Sequence, residues 1–93
     1  MRIVIVTGLS GAGRSTTLHI LEDFGFYCVD NLPPQLVPHL IEILASDEHI
    51  HWVGLGIDVR TGPFLEGLKD LVQRMRAQGH SVEMLFLECR DEI

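Results

Sequence analysis

Four consecutive β-branched residues, Ile3-Val4-Ile5-Val6, run without polar interruption into Thr7-Gly8-Leu9-Ser10-Gly11-Ala12-Gly13-Arg14-Ser15, and this junction constrains the fold more than any other stretch of the chain. A continuous apolar run reads as a central parallel strand covered on both faces, because a half-exposed strand would alternate. The glycines that follow permit a tight turn. Arg14 to Phe24 then places Leu18, Leu21 and, roughly, Phe24 on one helical face, and Gly25 stands where a helix stop is expected. The order is strand, glycine loop, helix.

The spacing Gly8-x-x-x-x-Gly13, followed by a basic residue and a hydroxyl, is the P-loop or Walker A pattern at every position except the basic one, where Arg14 stands for lysine. A strand feeding such a loop into a helix aims successive backbone N–H groups and the positive helix end at one phosphate group. Gly8, Gly11 and Gly13 leave room where a Cβ would intrude, while Leu9, Ser10 and Ala12 complete the cradle. Ser15, in the first helical turn, is placed to put its hydroxyl on a magnesium ion bridging the outer phosphates. Arginine is longer, planar and always charged, so binding is expected to survive at Arg14 while hydrolysis weakens. The expected ligand is a purine nucleoside triphosphate, ATP or GTP, with Mg. No Asn-Lys-x-Asp base-reading motif appears, so neither base is favoured.

Further along, Phe26 to Asp30 reads as a second short strand, closed by Asn31-Leu32-Pro33-Pro34. A helix over about 34–45 carries Leu36, Val37, Leu40, Ile41 and Leu44 at three- and four-residue steps. Trp52 to Val59 reads as a third strand, whose Gly54 and Gly56 suggest close approach by a packed helix. A helix from Thr61-Gly62-Pro63 to about Gln78 has the stripe Leu65, Leu68, Leu71, Val72 and Met75, and Ser81 to Glu88 reads as strand four. Repeated strand-helix order predicts an α/β, P-loop NTPase-like three-layer fold with a mostly parallel sheet. Ending just after a strand, residues 1–93 read as the N-terminal part of a P-loop nucleotide-binding domain, with the rest of that domain and a C-terminal domain lying beyond it.

Other function classes are disfavoured. With thirteen acidic against seven basic side chains, formal charge −6, the segment has no broad cationic surface for direct nucleic-acid binding. A backbone phosphate cradle needs none. No run approaches the roughly 18 apolar residues of a membrane span, and no secretory signal precedes Cys28 and Cys89, which read as buried reduced thiols of a cytoplasmic protein. His49 and His51 share a short polar turn without a third spaced ligand, and read as solvated.

Beyond the loop, Asp58 ends the third strand, where a P-loop fold often puts the carboxylate that holds magnesium through water. Asp30 ends the second strand on the same carboxyl edge, available to substrate, water or magnesium, or else only to an Asx turn. Arg60 is a candidate for a phosphate or a base.

Taken together, Gly-Leu-Ser-Gly-Ala-Gly-Arg-Ser-Thr, the run Leu21 to Pro33 containing Tyr27-Cys28-Val29-Asp30-Asn31-Leu32-Pro33, Asp58-Val59-Arg60-Thr61, and Leu85-Phe86-Leu87-Glu88 resemble the RapZ/YvcJ family of bacterial P-loop nucleotide-binding proteins across essentially the whole chain. The resemblance implies ATP and GTP binding, weak ATPase and GTPase activity at most, and a regulatory role. It also implies that Gly8 to Ser15 contacts ATP and that Asp58, Val59, Arg60 and Thr61 form a GTP-contacting segment. Some members act as RNase adapters that bind small RNA or regulatory proteins, work that the resemblance places in the C-terminal half. Two readings stay open beside it: a P-loop small-molecule kinase, and an adapter whose nucleotide merely stabilises a partner surface.

Overall fold

The computed structural model describes residues 1–8, 11–58 and 62–87, with only the backbone of 11, 12 and 62–64. Four strands, β1 (Arg2–Gly8), β2 (Tyr27–Val29), β3 (Trp52–Ile57) and β4 (Ser81–Leu87), alternate with α1 (Gly11–Asp23), α2 (Val37–Ala45) and α3 (Gly62–Ala77), and a 3-10 turn over Pro34–Leu36 leads into α2. All strand pairs are parallel, in the order β2-β3-β1-β4. The chain is thus an α/β, P-loop-like domain of three layers.

Right-handed crossovers dictate which face each helix covers. From β1 the chain passes over β3 to β2, whereas the later crossings run the opposite way, so α1 takes one face and α2 and α3 the other. The core divides accordingly. Ile3, Ile5, Val53, Leu55, Ile57 and Val82 join Val37, Ile41, Leu44, Leu68, Leu71, Val72 and Met75 in the larger cluster. Val4, Val6 and Leu18, with Leu21, Phe26, Cys28 and Leu87 against them, form the smaller. Alternate residues of β1 therefore serve opposite faces, and both are closed, which is why its sequence shows no polar alternation.

On β3 the two faces differ. Val53, Leu55 and Ile57 point into the larger cluster, while Gly54 and Gly56 face α1. A Cβ at Gly54 would lie 2.9 Å from the Cys28 sulfur and 3.2 Å from Leu21 Cδ1, so these glycines are where α1 settles onto the sheet. α1 stops as the sequence predicts: Gly25 has φ 93°, and its N–H donates to Glu22 O while that of Phe26 donates to Leu21 O. Gly79, at φ 96°, closes α3 in the same manner.

Three expectations require correction. α1 begins at Gly11, ahead of Arg14. Phe24 lies beyond the helix and is 69% exposed; Phe26 fills the site instead, its ring 5.5 Å from that of Trp52. Leu36 ends the 3-10 turn and is half exposed rather than part of the α2 stripe. Cys28 is a free, half-buried thiol whose pKa is raised first by burial and then by the Glu22 charge. Cys89 and Glu88 lie outside the described residues. Among the described residues no helix is long and apolar enough to cross a membrane.

Candidate functional site

β1 and β3 are neighbours, yet the helices that follow them leave on opposite faces. Such a switch point opens a crevice at the carboxyl ends of the two strands. Register places Thr7 beside Ile57, so Gly8 and Asp58 begin the two exits at the same height. Gly8 and Asp58, the first residues of the two motifs singled out in the sequence, thereby flank one crevice. Gly8 is buried against β4; a Cβ there would collide with the Leu87 carbonyl oxygen and lie 3.0 Å from Leu87 Cβ. Asp58 follows β3 directly and is half buried. Leu9, Ser10, Val59, Arg60 and Thr61 lie outside the described residues.

Gly11, Ala12, Gly13 and Arg14 make up the first turn of α1, whose N–H groups have no intrahelical acceptor and carry the positive end of the helix dipole. The Gly13 carbonyl is engaged further along the helix, accepting a 2.9 Å hydrogen bond from the Thr17 hydroxyl. Arg14 turns inward, and its side chain is only 9% exposed. A buried guanidinium must be paired. Its Nε donates to Asp30 Oδ1 at 2.9 Å, and the adjacent Ser15 hydroxyl donates to Asp30 Oδ2 at 3.0 Å. The Asn31 N–H adds a 2.7 Å hydrogen bond to Oδ1, with Asn31 at φ 57°, a left-handed conformation asparagine tolerates well.

Asp30 reaches this position because β2 lies next to β3, where the Leu32 N–H donates to the Gly56 carbonyl at 2.9 Å and Gly56 offers no side chain to displace the carboxylate. Its role is the principal feature that sequence reasoning left open. The signal was its place at a strand's carboxyl end. Burial opposes ionisation of Asp30, but hydrogen bonds from Arg14, Asn31 and Ser15, together with the Arg14 charge, outweigh it and hold the pKa below the usual aspartate range. A lowered folded pKa means that stability from this group is present above the unfolded value, about pH 4, and is lost as pH falls through the folded one. Acid titration of unfolding stability below about pH 4 should therefore be steeper for the native protein than for Asp30→Asn. Equal slopes would show that the Arg14–Asp30–Ser15 cluster does not form in solution.

Two further groups bear on the chemistry available here. The Thr7 hydroxyl, at the end of β1, is fully buried and finds no hydrogen-bond partner among the described residues. A small recess of about 90 Å³, lined by Ser15, Leu18, His19, Glu22, Cys28 and Asp30, opens beside the cluster. Among the described residues no three His, Cys, Asp or Glu side chains converge to hold a metal by themselves. A hard cation at Ser15 would need oxygens from water and from a bound anion, which is how magnesium is usually held, and a hydroxyl beside a carboxylate fits that donor set. The arrangement offers backbone donors, a buried cation and a carboxylate–hydroxyl pair at one strand edge.

Comparison with known proteins places the chain in a family. The description RapZ-like N-terminal domain matches residues 1–93. A nucleotide-binding protein of Dictyoglomus turgidum is 48% identical over 93 residues, covering 99% of this chain and 32% of its own length. One of Geobacter sulfurreducens is 43% identical over 94 residues, covering 100% of this chain and 33% of its own. Another, of Sorangium cellulosum, is 54% identical over 91 residues, covering 98% of this chain and 25% of its own. The chain thus spans about a third or less of the length of these relatives. It belongs to the RapZ-like N-terminal domain family.

Proposed function

We propose, from membership of this family and from the crevice between β1 and β3, that the domain binds the phosphates of a purine nucleoside triphosphate, ATP or GTP, as its magnesium complex, through Gly8 to Ser15. The observation that carries the reading is the meeting of the α1 N-terminus, buried Arg14 and Ser15 at the carboxyl end of β1. First-turn N–H groups hold phosphate oxygens. Arg14 supplies the fixed positive charge, with its Nε on Asp30 and a guanidinium whose further N–H donors suit phosphate oxygens. Ser15, with a carboxylate oxygen from Asp58 or Asp30, holds the magnesium ion, whose chemistry is to neutralise charge on the outer phosphates. Asp58 begins the other side of the crevice, and the segment Asp58, Val59, Arg60 and Thr61 is proposed to contact the nucleotide.

Arginine at the P-loop basic position favours binding over turnover, so ATPase and GTPase activity is weak at most and the role is regulatory, in the cytoplasm. The relatives are named nucleotide-binding proteins. A small RNA or a regulatory protein is proposed as a partner of the full-length protein and not of residues 1–93.

Calorimetric titration with ATP and GTP, each with magnesium, tests the reading in the native protein and in Arg14→Lys. Both proteins should bind, with faster turnover by the lysine variant. Silence from both would remove the nucleotide assignment; binding by the lysine variant alone would show that Arg14 blocks the site instead of serving it.

A further inference from the structure

We infer that Asp30 makes phosphate binding at this loop conditional on a divalent cation, by standing as a built-in anion on the two groups that a phosphate would otherwise occupy. The inference rests on the reading of residues 8–15 as a nucleotide site. Among the described residues of that segment, Arg14 and Ser15 are the side chains with charge or hydroxyl to offer, and each already donates to the same carboxylate, at 2.9 Å and 3.0 Å. The Asn31 N–H fixes Oδ1 from a third direction at 2.7 Å, so the carboxylate is positioned by the backbone as well as by its ion pair.

A metal-free phosphate approaching Arg14 and Ser15 meets this fixed negative charge at close range. Like charges that close repel strongly unless something lies between them. Glu22, paired with His19 at 3.1 Å, lines the same recess and adds to the negative field. The side chain of Asp30 is 38% exposed and faces that recess, which is roomy enough for water or a small hydrated cation. With a divalent cation between them, the carboxylate attracts where it had repelled, and an oxygen already beside Ser15 becomes available to the ion's coordination shell. Asp30 is therefore a specificity-determining residue that admits the metal complex and rejects the free anion.

Titration with ATP and with inorganic pyrophosphate, each in excess magnesium and in EDTA, separates this from a purely structural role. The native protein should bind roughly tenfold or more weakly in EDTA. Asp30→Asn and Asp30→Ser should both bind more tightly than the native protein in EDTA, by roughly tenfold, bringing the magnesium-to-EDTA ratio towards one. Variants that lose affinity in both media would overturn the inference, since a supporting residue moves both in the same direction. So would a native protein indifferent to magnesium, an outcome that leaves the nucleotide reading standing. Native protein that binds in neither medium would overturn the nucleotide reading itself, and this inference with it. If one variant fails to fold, the other and the native ratio still decide.

Discussion

Replacing Gly13 by valine should abolish binding of magnesium ATP and magnesium GTP, lowering affinity by at least roughly 100-fold, close to 3 kcal/mol, while leaving the domain folded. Gly13 sits in the first turn of α1, at the positive end of the helix, where backbone comes closest to a bound anion. A branched side chain here adds bulk where backbone must come close to phosphate. The cost to the fold is small because Gly13 is helical, and valine is no worse than glycine inside a helix. The carbonyl that accepts from Thr17 is backbone and survives the change. Calorimetry should show loss of the binding isotherm with an unfolding midpoint within a degree or two of the native one. Unchanged affinity would remove the loop from the site; a collapsed midpoint would mean that the valine disturbs α1 itself. Arg14→Lys is its counterpart, since it keeps the charge and changes only its shape.

Most elements were legible because pattern and burial coincide. The β1 run is apolar throughout since both faces are closed, and the α3 stripe Leu68, Leu71, Val72 and Met75 is buried as its spacing requires. Gly25 and Gly79 stop their helices with positive φ because no Cβ opposes that conformation. The misreadings have local causes. α1 starts before Arg14 because a first turn of Gly11, Ala12 and Gly13 carries no apolar period. Phe24 matched the helical face by spacing, but the helix ends at Asp23, so the phenylalanine two residues later does the packing. Strand order was out of reach: hydrophobic pattern says which faces are covered and not which strand is the neighbour.

The site was therefore legible in its parts and not in their assembly. Gly8 to Ser15 is contiguous and announces itself. Asp30 lies sixteen residues from Arg14 and fifteen from Ser15, and its reach depends on β2 lying beside β3, together with an empty position at Gly56. Sequence could put Asp30 on the right edge of the sheet. Only the β2-β3-β1 order puts it on the loop.

That dependence on Gly56 predicts a large stability loss from a single added methyl group. In Gly56→Ala the new Cβ would lie 2.8 Å from Leu18 Cδ1 and 3.2 Å from Asp30 Cα, and it would collide with Asp30 Oδ1. None of these neighbours yields easily. Leu18 is the buried anchor of α1, and the Asp30 carboxylate is held by Arg14, Ser15 and the Asn31 backbone. Overpacking of this kind costs about 2 kcal/mol, which for a domain of this size lowers Tm by roughly 8–16 °C. Because the carboxylate must shift, the acid limb of the stability profile should flatten as it does in Asp30→Asn. Gly67→Ala supplies the contrast: that glycine lies inside α3 with nothing within 4 Å of an added Cβ, so the change should raise stability by about 0.5–1 kcal/mol. Thermal melts of the two variants side by side decide the matter. A Gly56→Ala loss below about 0.5 kcal/mol, smaller than any overpacked core position shows, would mean that β2 and α1 do not close on β3 as tightly as the cluster around Arg14 requires.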